Sequence, residues 1–223
     1  MGRLTLSLLG GFEVRSGSGS PTAIPTKKAQ ALLAYLVLTP DQMHPRDKLA
    51  ALLWGDRTPA SARNSLRQTL FVLRKALDSE ARATLIITGD AITLAPDAVQ
   101  TDVAAFRRAV AEGTPTALEH AAALYRGDLL AGLAVAEPAF EDWLMSERER
   151  LHELALEALA RLLGRQLATG AAAAGVQTAL QLLALDTPVG GHEKPQNFGP
   201  AAGGQWDAIP RADFCCASAT RRR

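Results

Sequence analysis

The sequence is short of the residues that would announce a chemistry. Its 223 residues hold two cysteines, Cys215 and Cys216, side by side near one end. Adjacent cysteines rarely bridge each other, so no disulfide framework is expected. Four histidines (His44, His120, His152 and His192) are scattered, and none has metal-ligand spacing to a cysteine. They are expected as surface or capping residues, and no metal site is predicted. A Walker-type phosphate loop and a dinucleotide glycine fingerprint are both missing. Paired carboxylates and a nucleophile triad are missing too: Glu147, Glu149 and Glu153 read as a solvated helix face. The chain is therefore not expected to be an enzyme or to carry a cofactor. Aromatic residues make up only 5%, which leaves Leu, Ala and Val to build the core and leans the chain towards helix. No run is apolar for long enough to span a bilayer. The opening MGRLTLSLLGGFEV breaks its apolar residues with Thr5 and Ser7, unlike a signal peptide. The expected location is the cytoplasm, with no membrane partner.

What is present is unevenly charged. Residues 1–96 carry twelve Lys/Arg against seven Asp/Glu, whereas residues 97–186 carry seven against thirteen. A basic front and an acidic middle predict two domains with different partners. The front suits nucleic acid.

The most informative stretch is PASARNSLRQTLFVLRKAL, Pro59 to Leu77. Ala62, Leu66, Leu70, Leu73 and Leu77 recur every three or four residues, forming one apolar stripe of a helix. Arg63, Asn64, Arg67, Gln68, Arg74 and Lys75 fall off that stripe, and no acidic residue appears before Asp78. Thr58 is placed to cap the first turn, and Pro59 suits the position after it. Such a helix fits a DNA major groove: arginine reads guanine, asparagine and glutamine read adenine, and further cations hold phosphates. An ordinary surface helix with solvated charges has the same local pattern, so the neighbours decide.

Those neighbours are ordered. Leu4, Leu6 and Leu8 alternate as a half-buried strand, and Phe12 and Val14 resume after Gly10-Gly11. SGSGSPT is a loop, and Ala23 to Pro25 would add a short edge strand. Thr26 caps a helix over Lys27–Leu38, with Leu32, Leu33, Leu36 and Val37 buried. A second helix starts near Pro45, with Asp47 in its first turn, Leu49, Leu52, Leu53 and Trp54 inward, and Gly55 at its end. The cationic helix comes next, at helix-turn-helix spacing. Thr84–Thr88 and Ala91–Leu94 then flank Gly89-Asp90 as a hairpin, the wing. Strands, three helices and a hairpin make a winged helix, and strands before the first helix point to its OmpR-type variant. From Thr101 the pattern is helical: Asp102–Glu112, Pro115–Tyr125, Glu137–Ala168 and Ala171–Leu185, helix pairs of tetratricopeptide-like length without the full consensus. The predicted fold class is mostly α with small β: an OmpR-type winged helix, then an all-α, tetratricopeptide-like domain. After Asp186 the Gly- and Pro-rich composition predicts an irregular or disordered tail over 187–223.

Taken in order, LLGGFEV, KKAQALLAYLVL, RDKLAALLWGD, ARNSLRQTLFVLRKAL, DVAAFRRAV, LYRGDLL and FEDWLMSERERLHELALEAL resemble the SARP-type regulators. These join an OmpR-like winged helix to a bacterial transcriptional activator domain, and the resemblance covers residues 3–186. It implies a sequence-specific activator that binds double-stranded DNA at direct repeats near promoters and contacts RNA polymerase. Its helical domain (97–186) would support protein contacts and a homodimer on DNA. The resemblance maps the recognition helix onto Pro59–Leu77. Arg63, Asn64, Arg67 and Gln68 are the candidates for base edges, and Arg74 and Lys75 for phosphates. Lys27 and Lys28 are further phosphate candidates, or a solvated pair at a helix end.

Three departures stand out. The wing turn Thr88-Gly89-Asp90 lacks a cation, and Asp90 would be repelled by DNA; Arg82 is a poor substitute. Phe71 and Val72 leave the middle of the recognition helix apolar nearly all round. Packing on the wing is the expected use for one of them, and contact with a thymine methyl the alternative. Third, the helical domain breaks at Asp186 into an unrelated composition, which predicts a truncated or frameshifted domain. The bare wing keeps open a protein-interaction adaptor that no longer binds DNA.

Overall fold

In the computed structural model the described residues are 3–40, 42–77, 84–95 and 98–186. The expected boundary between residues 96 and 97, Arg82 and the tail over 187–223 lie outside them. Among the described residues six strands and seven helices follow in the order β1 (Leu4–Ser7), β2 (Glu13–Arg15), α1 (Lys27–Leu38), β3 (His44–Pro45), α2 (Arg46–Leu53), α3 (Pro59–Ala76), β4 (Leu85–Thr88), β5 (Ala91–Leu94), β6 (Val99–Thr101), α4 (Asp102–Glu112), α5 (Pro115–Leu124), α6 (Pro138–Ala168) and α7 (Ala172–Asp186).

Two small sheets frame the front half. β1 pairs antiparallel with β2, Leu6 opposite Val14, and parallel with β6, Leu6 opposite Thr101. β5 lies between β3 and β4, antiparallel to both. Gly89 takes φ +60° at the hairpin turn, a conformation that costs glycine nothing. The edge strand expected at Ala23–Pro25 does not form. Ahead of it β2 gains one isolated bridge, Arg15 to Pro21, and Thr22 N–H donates to the Val14 carbonyl. Pro21 and Pro25 have no N–H to offer a ladder, and Thr26 turns instead to cap α1, its side chain accepting from the Ala29 N–H.

Helix α1 is wrapped more fully than its leucines alone suggest. Ala29, Ala31, Ala34, Tyr35 and Leu38 are buried beside Leu32, Leu33 and Leu36, while Val37 is only half-buried. It is the central helix of the winged portion and contacts α2, α3 and β5. His44, expected as a surface or capping residue, is 1% exposed. β3 pairs it with Ile92, its Nε2 lies 2.9 Å from Thr39 Oγ1, and its ring meets Tyr35 edge-on.

The helical portion is built from the pairs α4/α5 and α6/α7. Gly113 ends α4 at φ +64°, and a Cβ there would strike the Arg161 guanidinium, which reaches back from α6 to the Val110 carbonyl. Glu147 is not the solvated carboxylate expected; it is largely buried and holds Arg107 at 2.8 Å and Arg150 at 3.0 Å. One cluster of buried side chains runs from Leu4 to Leu162 through both portions. Among the described residues no helix is long and apolar enough to cross a membrane.

A buried carboxylate fastens the two portions together. Asp102, 8% exposed at the start of α4, accepts from the backbone N–H groups of Leu8, Leu9 and Val103 at 2.9–3.0 Å. Beside it, the loop after α5 pairs with the end of β1: Leu130 N–H donates to the Leu8 carbonyl and Gly10 N–H to the Asp128 carbonyl. Leu130 is fully buried at φ +53°, an unfavourable backbone for leucine. Arg148 holds that loop by donating to the Leu129 and Leu130 carbonyls.

Two stability predictions follow from these buried groups. Asp102→Ala strands the N–H groups of Leu8 and Leu9 away from water and should cost about 3 kcal/mol, read as a lower urea midpoint. Burial holds the His44 pKa below its ordinary 6.5, opposed by hydrogen bonding to Thr39 and helped by the charge of Lys48. The folded protein therefore resists the proton, while the unfolded chain accepts it from about pH 6.5 downwards. Stability is full above that value and declines as pH falls through it. Urea titrations from about pH 7 to about pH 5 should show a falling midpoint, and a smaller fall in His44→Gln.

Candidate nucleic-acid interface

Helix α3 starts where Thr58 accepts from the Ser61 N–H, with Pro59 in its first turn. Ala62, Leu66, Thr69, Leu70 and Leu73 are buried along it, and Leu77 is buried at its C-terminal cap. That seat lies against α2 and α1. It leaves Arg63, Asn64, Arg67, Gln68, Phe71, Arg74 and Lys75 exposed. Six of the eight candidate site residues thus share one exposed side of one helix that carries no acidic residue.

These side chains are not equally free. The Arg63 guanidinium forms a two-pronged pair with Asp47 on α2, Nε to Oδ1 at 2.5 Å and Nη2 to Oδ2 at 2.6 Å. That hydrogen bonding holds the Asp47 carboxyl below the usual carboxylate range. Arg67 donates to Asn64 Oδ1 at 2.8 Å, so these two candidates meet each other one turn apart. Gln68, Arg74 and Lys75 project from the same side, the last two in the final turn.

The wing turn closes over the start of this face. Arg46 N–H donates to the Asp90 carbonyl at 2.8 Å, and Arg46 Nε stands 4.0 Å from the exposed Asp90 carboxylate. A hollow of about 370 Å³ opens between turn and helix, lined by Arg46, Arg63, Asn64, Arg67 and Asp90 with Ala60 and Leu66. No local sequence pattern marks Arg46 for this place, because β3 and the turn contact bring it in. Arg57 is a second cation outside the sequence-derived set; it donates to Ser65 Oγ from the loop before α3. A cation within two residues of a helix cap was the available signal.

Of the two apolar residues in the middle of α3, Phe71 is the outward one, its side chain 69% exposed. Val72 is half-buried. Lys28 departs from expectation. Its ammonium contacts Glu137 Oε1 at 2.5 Å and lies 5.3 Å from the centre of the Trp54 ring. Glu137 is 5% exposed, and its other oxygen accepts from the Gly55 N–H. A buried carboxylate needs that cation, so Lys28 serves the junction between α1, α2 and α6 and is withdrawn from the phosphate set. Lys27, one residue earlier, stays exposed. Among the described residues no cluster of His, Cys, Asp or Glu is arranged to hold a metal.

The two lysines should separate chemically. In the native protein an acetylating reagent should modify Lys27 well before Lys28, read by mass spectrometry of the peptides. Glu137→Gln should bring Lys28 close to the rate of Lys27; equal rates in the unmutated protein would contradict the junction.

Comparisons with known proteins agree with this architecture. The family model described as transcriptional regulatory protein, C terminal, matches residues 21–92. The bacterial transcriptional activator domain matches residues 92–189. No curated protein matches the chain. A solved structure of Mycobacterium tuberculosis EmbR, in complex with a low affinity phosphopeptide, is similar in fold, with a TM-score of 0.53 at 24% identity. The match covers 82% of this chain and 54% of that one, so the chain spans about half of EmbR's length. With the winged-helix elements and the activator-domain helices following one another in this order, the chain belongs to the SARP-type transcriptional regulators.

Proposed function

We propose that the protein is a sequence-specific activator that lays the exposed face of α3 in the major groove of double-stranded DNA. The observation that carries this reading is the face itself: Asn64, Arg67, Gln68, Arg74 and Lys75 exposed together on a helix without a carboxylate, opposite a fully buried stripe. Arg67 and Asn64 make a hydrogen-bonded pair that suits adjacent base edges, with Gln68 one residue on. Arg74, Lys75 and Lys27 are the phosphate contacts. Arg63 joins the base readers only by exchanging Asp47 for a guanine. The proposed organisation is a DNA-binding domain over 1–96, a helical activator domain over 97–186 and a tail over 187–223. The protein would act in the cytoplasm at the nucleoid, bind direct repeats near promoters, pair with a second copy on DNA and contact RNA polymerase.

Two observations favour a second reading, an adaptor that has lost DNA binding. Asp90 puts a carboxylate at the wing turn, and Arg63 is engaged by Asp47. Salt separates the two readings. Binding through four or so cations releases counterions, so log K should fall with log[salt] at a slope of roughly −3 to −4. An adaptor would show no such slope with DNA.

Residue-level tests follow from the division of labour. Arg67→Ala should lose about 1–3 kcal/mol of discrimination at one base pair. Lys75→Ala should weaken binding on all sequences alike and make the salt slope shallower by about 1. Binding titrations on a selected site and on random duplex give both quantities. Equal losses on the two duplexes for Arg67→Ala would refute its base-reading role.

A further inference from the structure

Phe71 is the one large apolar side chain in the middle of the outward face of α3, and it is 69% exposed. The helix repeats every 3.6 residues. Gln68 and Arg67 therefore stand one turn before Phe71 on the same side, and Arg74 and Lys75 one turn after. All four are exposed. The ring sits inside a cationic and amide-bearing frame, with the core stripe of Leu66, Leu70 and Leu73 turned away from it. Its natural occupant must be anionic around the edge and apolar at one spot in the middle. A duplex major groove meets both demands. The phosphates lie along its walls, and the only apolar group presented on its floor is the thymine 5-methyl.

The neighbouring arginines sharpen the assignment. Arg63 is engaged by Asp47, and Arg67 pairs with Asn64 one turn before Phe71. Among the side chains nearest Phe71, Gln68 is the one suited to an adenine edge. An amide and an aromatic ring on one turn match a step of A·T pairs better than a guanine run.

We propose that Phe71 is a specificity-determining residue that reads a thymine methyl group in the operator. The proposal rests on DNA binding by α3 and names what one position of that face recognises.

Deoxyuridine makes the test direct, because it keeps the hydrogen-bonding edge of thymine and lacks only the methyl. Bound duplexes are first selected from random DNA with the full chain. Each thymine of the selected site is then replaced singly by deoxyuridine, and binding is measured for the unmutated protein, Phe71→Ala and Phe71→Leu. At one thymine in each repeat the unmutated protein should lose about four-fold in affinity, the worth of one buried methyl group. Phe71→Ala should bind the thymine and uracil duplexes equally at that position while still responding at others. Phe71→Leu, still apolar, should keep part of the difference. Circular dichroism checks that the variants are folded. The proposal is overturned if no replacement matters to the unmutated protein, or if the sensitive thymine costs Phe71→Ala the same factor. If selection yields no preferred site, the DNA-binding reading falls and takes this assignment with it. A selected site that ignores every methyl sinks the assignment alone.

Discussion

The seating of α3 on its apolar stripe is the constraint on which the rest of the structure depends. Leu66, Leu70, Leu73 and Leu77 are each almost wholly withdrawn from water. Burying a leucine is worth about 1.5–3 kcal/mol, so the four together outweigh any polar contact on the opposite side. The exposed pair between Arg63 and Asp47 is a minor term beside them and adjusts to the helix rather than turning it. Rotation of α3 by one residue would carry the leucines into water and the arginines into the core. The stripe therefore fixes which side chains are presented, and α1, α2 and the wing are arranged around that choice.

The same frame explains how the acidic helices are attached without smothering the cationic face. Asp102 gathers the backbone at the end of β1, and Glu137 ties Lys28 and the Gly55 N–H to the start of α6. Both carboxylates are buried and partnered, so they fasten the junction and add little negative field at the surface. Two of the negative charges that the composition assigns to the middle of the chain are spent in this way. Glu147, held by Arg107 and Arg150, is a third. The winged portion keeps its basic character on the outside.

How much of this was legible in the sequence depended on the range of the interaction. The bounds of α1, α3, α4 and α5 were readable because Thr26, Thr58, Thr101 and Thr114 cap them locally and each is followed by a helical period. The wing was readable from Gly89-Asp90 between two β-branched runs. β6 was not: Val99-Gln100-Thr101 has no alternation, and its partner β1 lies far back in the chain, paired in parallel. β3 is two residues long and exists because β5 accepts it, which is also why the burial of His44 went unseen. At the candidate site the outward set was legible from periodicity alone. The engagement of Arg63 and Lys28 was not, since Asp47 sits on another helix and Glu137 just before a third. Pairings between elements follow from packing, which no local pattern records. Which of Phe71 and Val72 turns inward was not legible either: Val72 is half-buried and Phe71 stays exposed, a choice set by the seating of α3.

The proposed DNA recognition requires that α3, and not the helical portion, touch the duplex. The most direct measurement places a photocrosslinking amino acid at position 68, on the outward side of α3, and at position 149, on the acidic helix α6, and irradiates each variant with a selected duplex. If α3 lies in the groove, position 68 should give a protein–DNA crosslink, mapped to a major-groove base, and position 149 none. Crosslinks from α6 with none from α3 would contradict it.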